Sequence, residues 1–301
     1  MPQSQQIVLS DKRHGLPFSR GLLAQSFTAT GLGPGLAHKI AQAIQDDLLS
    51  REEYSVTVAR LRELGHDFLL DMAGEQYASR YTRIYKLSKL DKPVIILIGG
   101  TTGVGKSTIA TEVAHRLGIT RIVSTDSIRE VMRGIFTREL MPAIYESAFN
   151  AWRGLRVPVP HGANPVIVGF REQTAVVTTG VKALIDRSVL EGDSLVLEGV
   201  HLVPGYLEPR QFKDARVVQL VIGVEDEDAH RSHFYIREVQ TDGMRPFERY
   251  RANFGNIRLL GHYIEELARE HETTVLYSHQ LDLTVADVIE QIVNTVVEPD
   301  A

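Results

Sequence analysis

A chain of 301 residues, 43% hydrophobic and 24% charged, can bury a sizeable core and suggests about two domains by length. Its formal net charge of -5 supplies no global basic field for nucleic acid or an anionic membrane, and the absence of cysteine excludes disulfides, thiolate metal sites and cysteine nucleophiles. No apolar stretch approaches bilayer length, and the opening MPQSQQIVLSDKRHG lacks the charged start and apolar core of a signal peptide, so a cytoplasmic protein is expected.

Residues 1–90 read as a small, mainly helical domain. Ile7 to Leu9 fits a short strand, followed by a polar turn at Asp11 to Gly15. Pro17-Phe18-Ser19 opens a helix, with Ser19 as its cap and Leu22, Leu23 and Phe27 expected on one face. The cluster from Gly31 to Gly35 breaks it. A second helix covers Leu36 to Leu49, with Ile40, Ile44 and Leu48 at helical spacing, and Tyr54 to Leu64 and Phe68 to Tyr77 read as two more. An arginine- and tyrosine-rich piece, Ser79 to Lys86, precedes a charged boundary at Leu87 to Lys92.

From Val94 the pattern changes to alternating strands and helices, the sign of a parallel α/β sheet, and residues 91–301 are expected to form it. The apolar run Val94 to Ile98 breaks into GGTTGVGKST, which matches G-x-x-x-x-G-K-[ST] from Gly100 to Ser107 and then opens a helix reaching Leu117. Glycines let successive backbone N–H groups converge on phosphate oxygens where a side chain would collide, and the helix N-terminus adds a favourable dipole. On this reading Gly100, Thr101, Thr102, Gly103, Val104, Gly105, Lys106, Ser107 and Thr108 hold a nucleoside triphosphate. Lys106 reaches the outer phosphates and the Ser107 hydroxyl sits on Mg²⁺. Further strands are expected at Arg121 to Ser124, Ser194 to Leu197, Arg216 to Ile222 and Thr274 to Tyr277. Helices are expected at Ile128 to Arg133, Leu140 to Leu155, Gly169 to Leu190 and Val285 to Val297, with a proline-bearing loop at Val157 to Gly162.

Ligands of open α/β sheets bind beyond the carboxyl ends of the strands. Asp126 follows such an end, and Arg129 and Arg133 share its helical face at i+3 and i+7, so a carboxylate and two guanidiniums face one acceptor site. Glu198 closes LVLEG in the manner of a Walker B acid, with His201 three residues on as a candidate base or substrate contact. Ser107, Asp126 and Glu198 are the candidate metal ligands, and either acid can serve as the catalytic base. Arg171, placed after an expected loop at Val168-Gly169-Phe170, is a further candidate acceptor contact, whereas Phe170 and Trp152 read as core. Between Asp228 and Arg258, six arginines (Arg231, Arg237, Arg245, Arg249, Arg251 and Arg258) alternate with His230, His233, Tyr235 and Tyr250. Phosphoryl transfer needs positive charge over the transferred group, so Arg231 is expected on the nucleotide and Arg237 on the acceptor, both carried by a lid.

Two resemblances organise these motifs. Lys12, Arg13, Gly15, Pro17-Phe18-Ser19, Gly31 to Gly35 and Arg80-Tyr81 resemble the ATP-cone, a small nucleotide-binding module, although two of its expected strands are not visible in the sequence. With GGTTGVGKST, IVSTDSIREVMR, LVLEGVHLVPG, HRSHFYIRE and FGNIRLLGHYI, the chain resembles the 2-phosphoglycerate kinases over nearly its whole length. That resemblance implies a P-loop NTPase-type parallel sheet flanked by helices, preceded by an ATP-cone-like domain. It further implies transfer of the ATP γ-phosphoryl group, with Mg²⁺, to the free hydroxyl of 2-phosphoglycerate, giving 2,3-bisphosphoglycerate. The implied partner is a small phosphorylated organic acid, with no nucleic acid or membrane involved; a homodimer is compatible with the sequence. A kinase for another small anionic metabolite, sugar or nucleoside, and a non-catalytic nucleotide-sensing regulator, are the alternatives.

Overall fold

The computed structural model describes residues 7–11, 14–87, 89–240 and 246–297. Contacts sort the chain into two units, Met1–Leu90 together with Ile289–Ala301, and Asp91–Val288. The terminal segment was expected to belong with residues 91–288; instead Arg80 donates to Glu290 at 2.6 Å and Arg83 donates to Asn294 within the first unit. Such long-range pairings leave no local sequence pattern.

In the first unit, β1 (Val8–Asp11) pairs antiparallel with β2 (His14–Pro17) and parallel with β3 (Ser55–Val56), giving the order β2-β1-β3. The sequence suggested only the first of these. β2 carries Gly15 and Pro17, which depress strand propensity, and β3 has two residues, too few for an alternation to register. Helix α1 (Arg20–Thr28) is capped by Ser19, whose hydroxyl accepts from the Leu22 N–H at 3.3 Å. Leu23 and Phe27 are buried, but Leu22 is 68% exposed, contrary to the expected shared face. Five residues separate Leu22 from Phe27, an offset of roughly 140° around the helix.

Helix α2 (Pro34–Ser50) buries Ile40, Ile44 and Leu48 completely. The two helices expected next are redrawn. A single helix, α3 (Val58–Met72), is capped by the Thr57 hydroxyl, and the break falls at Gly74, whose φ of +103° suits glycine, before α4 (Glu75–Leu87). Arg80 and Tyr81 therefore lie on α4, with the Tyr81 ring edge-on to Phe27 at 5.4 Å. Lys12, Arg13 and Arg245 lie outside the described residues.

The second unit holds a five-stranded sheet in the order β5-β6-β4-β7-β8, all described pairs being parallel. The strands are β4 (Val94–Gly99), β5 (Arg121–Ser124), β6 (Leu195–Glu198), β7 (Arg216–Gly223) and β8 (Thr274–Tyr277). β4 is central and buried throughout, the pattern of a strand covered by helices on both faces. Each of Ile95, Ile96, Leu97 and Ile98 is fully buried, contributing about 1.5–3 kcal/mol of hydrophobic stabilisation. The helices of this unit are α5 (Lys106–Leu117), α6 (Thr125–Ile135), α7 (Pro165–Glu191), α8 (Glu227–Gln240), α9 (Phe247–Arg251), α10 (Phe254–Glu270) and the start of α11 (Leu281–Val296), whose residues from Ile289 belong to the first unit.

Two expectations fail between α6 and α7. Leu140 to Leu155 is not one helix but two short 3₁₀ turns, Pro142–Tyr145 and Ala148–Gly154, separated by extended backbone at Glu146 and Ser147. The second turn folds back so closely that a Cβ on Gly154 would lie 2.5 Å from the Ala143 nitrogen. Val168-Gly169-Phe170 is not a loop but part of α7, which starts earlier because the Asn164 side chain caps it by accepting from the Val166 N–H at 2.9 Å. The sheet order places the carboxyl ends of β5, β6 and β4 side by side, each followed by one of the expected site segments.

Candidate active site

The loop from Gly100 to Gly105 leaves the end of β4 and feeds directly into α5. Gly100 has a φ of +127°, and a Cβ there would lie 2.2 Å from the Ile222 carbonyl oxygen of β7, so only glycine fits. Val104 is buried, while Ser107 and Thr108 are exposed on the first turn of α5. Thr101 anchors the loop by donating its hydroxyl to the Ile257 carbonyl of α10 at 2.9 Å. Lys106 is 7% exposed and donates its ammonium to the Thr101 carbonyl at 2.6 Å, spanning the loop from inside. Burial pushes the Lys106 pKa down, and the nearby Glu198 and Asp126 carboxylates partly offset that.

Glu198, at the end of β6, accepts from the Ser107 hydroxyl at 3.0 Å. Two hard oxygen groups beside the phosphate loop are a donor set suited to Mg²⁺, which keeps several waters and takes few protein ligands. Asp126 stands at the start of α6, its carboxylate accepting from Arg129 at 3.2 Å. Desolvation around Asp126 acts to raise its pKa, but the neighbouring positive groups, Arg129 first and Lys106 among them, together outweigh it and hold the carboxyl below its ordinary value. Arg129 also donates to the Ile144 and Glu146 carbonyls at 3.0 and 2.8 Å, so it ties Asp126 to the first 3₁₀ turn. Lys106, Glu198 and Asp126, from three different elements, therefore meet at one place.

The other expected site residues are dispersed. His201 is 1% exposed and both ring nitrogens are engaged: Nδ1 with the Thr125 hydroxyl and Nε2 with the Gln173 amide oxygen, each at 2.9 Å. Burial drives its pKa down to about 3. It is a neutral internal group with no nitrogen left for a substrate, which corrects its expected role. Arg171 lines an open hollow of about 470 Å³ with Glu172, Gly205, Tyr206, Tyr263 and His271, and Lys106, Asp126 and Glu198 are not among the residues lining it. The Phe170 ring lies 6.4 Å from both His201 and Tyr263. Arg133 pairs with Glu130 at 2.6 Å and lies over the Tyr145 ring. Arg231 pairs with Asp228 and Glu227 and lies 4.4 Å over the Phe254 ring. Arg237 falls on α8, but its side chain is outside the described residues.

Gln173 and Thr125 carry structure that the sequence reading passed over. The Gln173 amide nitrogen donates to the Ala143 and Glu146 carbonyls at 2.5 and 3.0 Å, which leaves its oxygen facing His201. His201 Nε2 therefore carries the proton, its Nδ1 is bare, and the Thr125 hydroxyl must donate to it. A Cβ on Gly199 would sit 1.9 Å from that hydroxyl, so the glycine after Glu198 admits Thr125 beside the Glu198 strand end. One signal existed: Gln173 lies in phase with the buried positions Val166, Phe170, Val177 and Val181 of α7, where an apolar residue is the rule.

A phosphate loop leaving the central strand of a parallel sheet, with an acid at the end of the neighbouring strand, defines the class: a P-loop kinase. No family profile matches the chain. Among curated proteins it is similar to the 2-phosphoglycerate kinase of Methanothermobacter thermautotrophicus, with 40% identity over 96% of this chain and 94% of that one. The 2-phosphoglycerate kinases of Methanopyrus kandleri (38% identity, 95% and 86% covered) and Methanocaldococcus jannaschii (37%, 97% and 94%) are similarly related. The chain belongs to the 2-phosphoglycerate kinase family and is a small-molecule kinase. Among solved structures, a shikimate kinase from Acinetobacter baumannii in complex with shikimate has a TM-score of 0.41 at 18% identity, covering 70% of this chain and 99% of that one. A gluconokinase from Sinorhizobium meliloti has a TM-score of 0.38 at 14% identity, covering 66% and 91%. Neither likeness is close enough to carry an argument about this chain.

Proposed function

We propose that the chain transfers the γ-phosphoryl group of ATP to the free hydroxyl of 2-phosphoglycerate, releasing ADP and 2,3-bisphosphoglycerate. The observation that carries this reading is the meeting of Lys106, Glu198 and Asp126 at the carboxyl ends of adjacent strands, in a chain whose relatives bear that enzyme name. The acceptor oxygen forms a bond to the γ-phosphorus as the bond to the bridging oxygen of ADP breaks. Asp126, ionised at neutral pH, accepts the hydroxyl's hydrogen bond, orients it, and takes up its proton as the new bond to phosphorus forms. Lys106 draws the outer phosphates toward the loop. Ser107 and Glu198 would hold Mg²⁺, which would supply charge neutralisation on the outer phosphates. The Arg133–Glu130 pair joins a half-buried arginine to an exposed carboxylate on the same helix, and in this reading Arg133 exchanges it for the acceptor's phosphate or carboxylate. The exposed pairs of Arg231 leave it equally free to turn toward nucleotide.

The direct test is a coupled assay with ATP, Mg²⁺ and 2-phosphoglycerate, with the product identified by phosphorus NMR. Absence of turnover across 2-phosphoglycerate and related phosphorylated acids would sink the proposal. For the N-terminal unit we propose an ATP-cone-like nucleotide site, a reading supported by its three-stranded sheet beside four helices. Calorimetric stoichiometry separates the outcomes: two nucleotides per chain support that site, and one bound at the phosphate loop alone removes it.

A further inference from the structure

Helix α8 presents two histidines to the phosphate loop. His230 Nε2 lies 2.8 Å from the Thr102 carbonyl and His233 Nδ1 lies 2.9 Å from the Gly103 carbonyl. A carbonyl only accepts, so each of these nitrogens carries the proton it shares. The i, i+3 spacing sets both rings on one helical face. Phe234 fixes that face: it is 1% exposed, stacks on Tyr250 at 4.6 Å, and occupies the place where a Cβ on Gly103 would come within 2.3 Å of it. His230 is itself fully buried, and its Nδ1 has no partner among the described residues, so its polar tie is the bond to Thr102.

A trans peptide points its C=O and N–H to opposite sides, and there are no cis bonds among the described residues. Holding the Thr102 carbonyl toward α8 turns the Gly103 N–H away from it, and holding the Gly103 carbonyl does the same for the Val104 N–H. These N–H groups belong to the run that faces phosphate oxygens in the proposed reading. Gly103, with a φ of +89° and no side chain, has little of its own to keep those planes in place. We infer that His230 and His233 are positioning residues for the phosphate loop, holding the two peptide planes that present the Gly103 and Val104 N–H groups to the nucleotide. The inference rests on the nucleotide reading of the loop. It makes the first turns of α8 part of the loop's support rather than a freely swinging lid.

The test uses calorimetric titration of the full-length protein with β,γ-imido-ATP and Mg²⁺. A glutamine amide nitrogen superposes on histidine Nε2, and an asparagine amide nitrogen on Nδ1. His230→Gln and His233→Asn are therefore expected to keep most of the affinity. His230→Leu and His233→Leu are expected to raise Kd by about three- to tenfold, the worth of one hydrogen bond. The exchanged pair, His230→Asn and His233→Gln, should resemble the leucine variants, with KM for the acceptor unchanged throughout. Melting curves check folding, and the partly exposed His233 carries the comparison if a His230 variant fails to fold. Wild-type binding with undiminished binding in both leucine variants, or rescue that ignores which nitrogen is mimicked, overturns the inference alone. No binding of the analogue by the wild type overturns the nucleotide reading and this inference with it.

Discussion

Thr125→Val tests whether the hydrogen-bond directions read from Gln173 through His201 to Thr125 are correct. Valine keeps the branched shape of threonine and replaces the hydroxyl with a methyl group, so the bare Nδ1 of His201 loses its donor. Both groups are shielded from water, with Thr125 fully buried and His201 1% exposed, so no solvent replaces the bond. Leaving a buried acceptor unsatisfied costs about 1–3 kcal/mol, and for a unit of this size each kcal/mol lowers Tm by about 2–4 °C. The added methyl group returns part of that, so a net loss of about 1–2 kcal/mol is expected. Because Thr125 precedes Asp126, kcat/KM for the acceptor should fall more than KM for ATP rises. Thr125→Ser, which keeps the hydroxyl, should restore both. Calorimetric melting and initial-rate kinetics supply the readouts. A valine variant that melts with the wild type and keeps wild-type acceptor kinetics would show that His201 is not held through its Nδ1.

Acid stability follows from the buried histidines. His201 is held at about 3 and His230 at about 4, both chiefly by burial, whereas an unfolded histidine titrates near 6.5. The folded pKa values are depressed, so the unfolded chain takes up protons first. Stability is full above about pH 6.5 and falls as pH drops toward 4, each histidine adding a slope of at most about 1.4 kcal/mol per pH unit. Denaturant titrations at pH 7, 6 and 5 check this, and a flat profile contradicts the burial argument. Lys106→Ala should lower kcat by about 10³-fold or more without collapsing the fold, since burying that ammonium is itself unfavourable; retained turnover would remove Lys106 from the mechanism. Gly100→Ala places a Cβ 2.2 Å from a carbonyl of β7 at a positive φ, and should cost about 3 kcal/mol or more in urea unfolding. A wild-type midpoint would mean the loop backbone differs from that described.

The phosphate loop was legible because its residues are contiguous: a strand, the glycine turn and the helix follow one another, and Lys106 finds the Thr101 carbonyl five residues away. Asp126 and Glu198 were legible as candidates for a related reason, since Glu198 ends one strand, Asp126 lies two residues beyond another, and the parallel sheet sets those strand ends side by side. The short strands β2 and β3 were not, because pattern counting needs several residues and they have four and two. Nor was the break at Gly74, where a lone glycine competes with a helical periodicity that runs past it.

What the sequence determined by itself is the class of chemistry: a triphosphate loop, two acids at strand ends and a surplus of arginines. Tertiary structure decided where the candidate groups lie. Arg171 turned to a separate hollow and His201 became a neutral internal link. Gln173 entered the network from a helix facing the 3₁₀ turns, and His230 and His233 reached the phosphate loop from well over a hundred residues away. The physical reason is one of range: propensity and periodicity act over a few residues, whereas a buried hydrogen bond is set by whichever partner the packed sheet brings within about 3 Å.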